Sequence, residues 1–337
     1  MYNADRKERF IAENSMSLSR GWVVDVFNSI GPMELQLGKD LAEMTAEEVG
    51  RAICVGDVMA SATITNRIPL VVRYKNWCAE NGFSAVPIRS GDVVIDVSRG
   101  IRSTMVCSPS NLLAYLDRAY PDDGRKNTPR CVYRSFFWFL FSGLRPVEAA
   151  DVRTTDVNLR RRLISYNNRW YRIFDLSVTD IRTACEQTVF EKPTPKGNKI
   201  MTRPREANNR VLRGWAHGDV QRTPAEYVNR TLRTAVQTAF DRAGLPGVSP
   251  LKVRKSGIFY DMLGRELKGL DVRVAFYTLA SDDFDLDHIG KEISARQKHK
   301  AVHRIQQMYM MDYSNWKQAF EPELLREFGV ETLPAVE

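Results

Sequence analysis

Apolar residues recur at three- and four-residue spacing over most of this chain and alternate over only a few short runs. That pattern predicts a mainly α protein with a small β-sheet or hairpin, an α+β class. Residues 18–105 read as mostly helical. Thr45 followed by Glu48 is a capping box that opens one helix. Leu70, Val71, Tyr74 and Trp77 then share one face of a helix that begins near Ser61. Residues 93–97 predict a short strand or an extended linker. Ser108 caps a further helix, with Pro109 in its first turn. Residues 136–141 are an apolar helix that ends at Ser142 and Gly143.

The β component is confined to two places. Residues 163–166 and 169–174 flank Asn167 and Asn168, the pattern of a hairpin. A second extended segment covers 189–199. Thr223 and Glu226 form another capping box, opening a helix that runs to about Arg242 and stops at Gly244 and Pro246. From Val253 onward the chain reads as helical, apart from an acidic break at 281–285, taken as part of an inserted, solvated segment. The first residues look frayed. The domain plan expected is therefore a lead over 1–17, a helical domain over 18–105 and a larger domain over 106–337.

With 337 residues, 43% hydrophobic and 27% charged, the chain has the composition of an ordinary globular protein of two domains. No run of eighteen apolar residues occurs, so no membrane span is expected. The polar N-terminus does not read as a signal peptide. Five cysteines, odd in number and without a CxxC pair, read as reduced thiols of a cytoplasmic protein. The acidic run is too irregular for a calcium loop. His217 and His288 have no partner pattern, so neither a metal nor a cofactor is expected. The net charge of +8 favours a polyanionic partner, because Lys and Arg on phosphates release counterions.

Four stretches carry candidate chemistry. Ser142–Gly143–Leu144–Arg145 opens a helix, with Glu148 three residues on. Pro250–Leu251–Lys252–Val253–Arg254–Lys255 carries a second arginine. A third stretch runs from Lys298 and His299 to Tyr309. Pro195–Lys196–Gly197–Asn198–Lys199 lies in the second extended segment. Their order resembles the active site of tyrosine recombinases, the phage-type integrases, over roughly residues 18–320. The helical region before them is similar to that family's core-binding domain.

Moving a DNA strand without metal or ATP needs a nucleophile, an offset for charge on the phosphoryl oxygens and a proton for the 5′ oxygen. Arginine suits the second task, since its planar fork donates two hydrogen bonds to a phosphate. Tyrosine suits the first, through a covalent intermediate. The resemblance implies that Arg145 and Arg254 clamp the phosphate and Lys196 protonates the leaving oxygen. His299 would support the phosphate and Tyr309 would form a 3′-phosphotyrosyl bond. Lys199 and Arg169 are alternatives to Lys196, and the pair His303 and Tyr313 keeps the same spacing as His299 and Tyr309. Leu251 stands where the family usually has histidine, and it cannot transfer a proton; Lys252 and Lys255 are candidate substitutes. Arg67, Arg73 and Lys75 are candidate DNA contacts.

The resemblance further implies a homotetramer on synapsed double-stranded DNA, a possible accessory DNA-bending protein, and a nucleoid-associated or mobile-element role. It also leaves open whether residues 320–328 dock on a neighbouring protomer or on their own domain. Beside strand exchange stand three other readings. These are a recombinase fold with degraded chemistry that only binds DNA, a relaxing topoisomerase, and an unrelated helical protein.

Overall fold

The computed structural model describes residues 2–16, 18–54, 61–95, 98–122, 124, 127–193, 200–214, 222–244, 248–288 and 290–334, without the side chains of 61–65, 99, 192 and 193. They form two compact units. One comprises Met1–Arg102 with Phe276–Ala319, the other Ser103–Ala275 with Phe320–Ala335. The architecture is mainly helical with two small antiparallel sheets. No described helix is long and apolar enough to cross a membrane.

The first unit begins with α1 (Ala4–Glu13), α2 (Arg20–Leu37), α3 (Ala46–Cys54), α4 (Ser61–Glu80) and α5 (Ser98–Arg102). The lead expected over 1–17 is corrected, because α1 is part of the core. Its Phe10 packs edge-on against Phe27, Tyr74 and Trp77, at centroid distances of 6.0, 5.3 and 5.6 Å. Its Lys7 pairs with Glu34 of α2 in full burial. The capping box of α3 is present: the Thr45 amide donates to Glu48 at 2.8 Å, and the Glu48 amide to Thr45 Oγ1 at 3.3 Å. The predicted face of α4 is buried at Leu70, Val71, Tyr74 and Trp77. Residues 93–95 form no strand. The chain there runs instead against α3, where a side chain on Gly50 would meet the Val94 carbonyl.

The second unit opens with α6 (Pro109–Ala119), whose Ser108 cap accepts from the Asn111 amide at 3.1 Å. Next come α7 (Arg130–Phe141) and α8 (Pro146–Asp151). A helix apolar on all sides must be buried on all sides, and every side chain from Phe136 to Phe141 is. The buried charge on α7 is Arg134. It donates through Nε to both oxygens of Asp180 at 2.9 Å and through Nη1 to Asp117 at 2.7 Å. Those bonds anchor α7 to α6 and to α9 (Val178–Glu186).

Between α8 and α9 lies the sheet β1 (Val157–Asn158), β2 (Leu163–Tyr166) and β3 (Arg169–Arg172), all antiparallel. Its hairpin turns on Asn167 and Asn168, both at positive φ (47° and 58°), as a primed two-residue turn requires. β4 (Val189–Pro193) and β5 (Ile200–Pro204) form the second sheet. The Thr223 capping box starts α10 (Pro224–Tyr227), which continues through a π-helical turn into α11 (Arg233–Arg242).

α12 (Pro250–Glu266) crosses α7 with almost no space between the backbones. A Cβ on Gly257 would stand 1.7 Å from the Phe141 carbonyl oxygen. The Val106 amide donates to Ser256 Oγ beside it, at 3.1 Å.

α13 (Val272–Asp287) and α14 (Ala295–Ala319) follow, then α15 (Glu321–Phe328). From Phe276 to Ala319 they belong to the first unit, so residues 106–337 are not one domain. α14 packs on α4 and α5. The acidic break is corrected too: residues 281–285 lie within α13. Phe276, Ala280 and Phe284 recur every four residues on its buried face, and Lys298 offsets Asp285 at 2.6 Å. α15 packs on its own unit. Phe320 and Leu324 are buried, the Phe328 ring lies 5.0 Å from Tyr260, and the Tyr260 hydroxyl donates to Glu327 at 3.3 Å.

Gly257→Ala forces the α7–α12 crossing apart. The expected cost is about 3 kcal/mol or more of stability, read as a lower midpoint in denaturant unfolding. Gly264→Ala, whose Cβ would meet Phe328 at an ordinary 3.7 Å, should cost far less.

Candidate functional site

The elbow after α7 is built by backbone demand. Gly143 takes φ +107°, a conformation open to glycine. The Gly143 amide closes the helix on the Leu140 carbonyl at 2.8 Å, and Leu144 is buried beneath. Arg145 then precedes α8, with Pro146 at its first position. The Arg145 amide donates to the Glu148 carboxylate at 2.7 Å. That bond fixes the backbone from which the half-buried Arg145 side chain projects.

Arg254 reaches the same elbow from α12. Its Nε donates to the Gly143 carbonyl at 2.8 Å. The two arginines, 109 positions apart in sequence by subtraction of their numbers, are thereby tied to one loop. Tyr171 of β3 lines the other side. Its ring would lie 3.8 Å from a Cβ on Gly143. Burial and the charge of Glu148 push its phenol up, while Arg169 and Arg254 pull it back, Arg169 through a hydrogen bond. Arg145, Glu148, Arg169, Tyr171 and Arg254 therefore gather at one place.

Sequence reasoning missed Tyr171. The signal was the alternation of β3, which puts residues 169 and 171 on one face. Lys196 and Lys199 lie outside the described residues, as does His217. Lys252 and Lys255 are half-buried on α12, the Lys255 ammonium 5.8 Å from the Phe259 ring centre. Leu251 is 66% exposed in the first turn of α12. Nothing at that position can donate or accept a proton.

The tyrosines belong to the other unit, on α14. Tyr309 is half-buried, and its hydroxyl donates to Asp283 Oδ2 of α13 at 2.5 Å. Tyr313 is 0% exposed, packed between Phe276 and Trp316 at 5.4 and 6.2 Å. Of the two candidates, only Tyr309 reaches the surface of its unit. His299 and His303 are exposed. Because α14 is continuous, ten residues separate His299 from Tyr309 by roughly 15 Å along the helix axis. The structure does not bring the two together, nor His303 with Tyr313. His288 Nδ1 bonds the Phe284 carbonyl at 2.8 Å and its ring stacks on Phe284.

Two of the three expected DNA contacts are corrected. Lys75 is 1% exposed, and its ammonium donates to the carbonyls of Leu41, Ala42 and Met44 at 3.2, 2.7 and 2.7 Å. Burial pulls that amine down to about 8. Arg67 is also buried, with Nη1 on Ser29 Oγ at 2.9 Å. Positions 67, 71, 74, 75 and 78 share the inward face of α4. Arg73, off that face, is exposed.

Lys75→Ala should therefore destabilise the protein by about 3 kcal/mol, by stranding buried carbonyls. Arg73→Ala tests the remaining expected contact: a phosphate contact at Arg73 would lower the salt slope of DNA binding by about one. Unfolding curves and salt titrations on the same duplex separate the two roles.

Residues 1–80 match the family model of the MrpR N-terminal core-binding domain. No curated protein matches the chain. Among solved structures, the integrase from mycobacterium phage Brujita aligns over 90% of this chain and 93% of its own. The identity is 16% and the TM-score 0.28, too loose a superposition to bear on function. The core-binding domain expected at the N-terminal end is thus present as a family match over residues 1–80.

Proposed function

We propose that the chain binds double-stranded DNA and cuts and rejoins a strand through Tyr309, without metal or ATP. The observation that carries this reading is the tie between the two arginines. Arg254 is held on the Gly143 carbonyl, in the loop whose next turn carries Arg145. Two arginines anchored at one elbow, Arg254 by its guanidinium and Arg145 by its backbone, are suited to the non-bridging oxygens of a single phosphodiester. Preorganised donors of this kind stabilise charge in the transition state by about 3–4 kcal/mol each. Arg169 and Tyr171 stand beside the same cluster. Tyr309 is the nucleophile of this reading and Tyr313 is not, because Tyr313 is sealed within its unit. Work on synapsed duplexes as a tetramer follows from the family reading, as does a role in a mobile element or at the nucleoid.

A second reading, DNA binding without cleavage, is favoured by Leu251. An exposed leucine where the family places histidine removes one proton-transfer group from the arginine cluster.

Covalent trapping tests both. The protein is incubated in EDTA with nicked suicide duplexes taken from DNA flanking its gene, and adducts are resolved on a denaturing gel. The first reading expects an adduct that is lost in Tyr309→Phe and kept in Tyr313→Phe. Arg145→Ala and Arg254→Ala should each lower its rate by about 10²–10³-fold, the scale of one lost donor. Salt-sensitive binding to the same duplex with no adduct would sink the first reading and support the second.

A further inference from the structure

The Tyr309 hydroxyl has a defined acceptor. Its Oη lies 2.5 Å from Asp283 Oδ2, as short as charge-assisted O–H···O hydrogen bonds become. The phenol ring stacks on Phe276, at 6.1 Å between centroids and 13° between planes. Residues 276 and 283 are two turns apart on α13 and so share a face. One helix therefore supplies both the platform under the ring and the acceptor at its tip. The pairing of Asp285 with Lys298 joins α13 to α14 nearby. A hydroxyl with a base in hydrogen-bond reach, the base itself held by a fixed element, is the arrangement that activates a weak nucleophile.

We infer that Asp283 is the proton acceptor for Tyr309 in the strand-transfer step. The inference rests on the function proposed above. A lone pair of Oη forms the bond to phosphorus as the bond from phosphorus to the 5′ oxygen breaks, its electron pair leaving with that oxygen. The phenolic proton passes to Asp283 Oδ2, and the 5′ oxygen takes a proton from water or a cationic side chain. Rejoining runs the same transfers backward: the 5′ hydroxyl gives up its proton, and Asp283 returns one to Oη.

The charge balance favours this assignment. An ionised Asp283 opposes the approach of a phosphodiester. Proton uptake neutralises it while negative charge grows on the phosphoryl oxygens. The repulsion is thus present in the ground state and relieved in the transition state, the kind of difference that accelerates a reaction. The acceptor also sits on α13, so it does not depend on what occupies position 251.

The test uses the full chain and two suicide duplexes. One is ordinary; in the other, sulfur replaces the 5′ bridging oxygen, so the leaving thiolate needs no proton. Asp283→Asn should slow adduct formation about 10²–10⁴-fold, the usual range for a lost proton acceptor. The loss should be similar on both duplexes, with DNA affinity equal to or above that of the wild type. Asp283→Glu should recover at least about a tenth of the wild-type rate, on the same scale. Asp283→Ser, a second variant without the carboxylate, guards against misfolding of the first. A defect that vanishes on the sulfur duplex would overturn the inference, since Asp283 would then serve the leaving group. A Tyr309-dependent adduct that forms at the wild-type rate in both Asp283→Asn and Asp283→Ser would overturn it while leaving the proposed function standing. If the wild type forms no Tyr309-dependent adduct on either duplex, the proposed function fails and this assignment with it.

Discussion

The backbones of α7 and α12 meet with no room for even a methyl group between them, and the second unit depends on that contact. Gly257 permits it, since any side chain there would overlap the Phe141 carbonyl. The crossing lies one turn from Arg254, and that short lever sets the guanidinium on the Gly143 carbonyl. Phe141 is also the last residue of the apolar helix whose burial forms the centre of the unit's core. Packing and site geometry are consequently one constraint: what closes the core also aims the arginine.

The first unit organises its chemistry in a different way. Tyr309 is held by a carboxylate and a stacked ring from a single neighbouring helix. The arginine cluster and Tyr309 thus reside in separate units, each ordered by its own local contacts. Neither group needs the other in order to be preorganised. The Tyr309 hydroxyl is held in place by contacts within its own unit.

Much of the fold was legible in the sequence because its signals are local. The capping boxes at Thr45 and Thr223, the Ser108 cap, the Asn167–Asn168 turn and the face of α4 each depend on residues within a few positions. What escaped was set by distant partners. Lys7 reads as a solvated lysine until Glu34 is brought to it. Lys75 reads as a phosphate contact until three carbonyls fold over it. The aspartates of α13 read as a break because their charge outweighs the four-residue spacing of Phe276, Ala280 and Phe284. In the site, Arg145 and Arg254 were legible through their flanking residues. Asp283 was not, because an aspartate among aspartates gives no hint that its partner is a tyrosine on the next helix.

The first unit is written in two pieces, with the whole of residues 103–275 between them. A nascent chain therefore leaves the ribosome with α1 to α5 formed from one end, but α14, which lies on α4 and α5, arrives only after the second unit has been made. Contacts spanning so long an interval carry a large loop-closure cost and slow the completion of a fold. The same topology governs dissection: a fragment cut at the boundary after Arg102 would be a unit with one of its walls missing. A faithful minimal version would need residues 276–319 joined back to it by a linker.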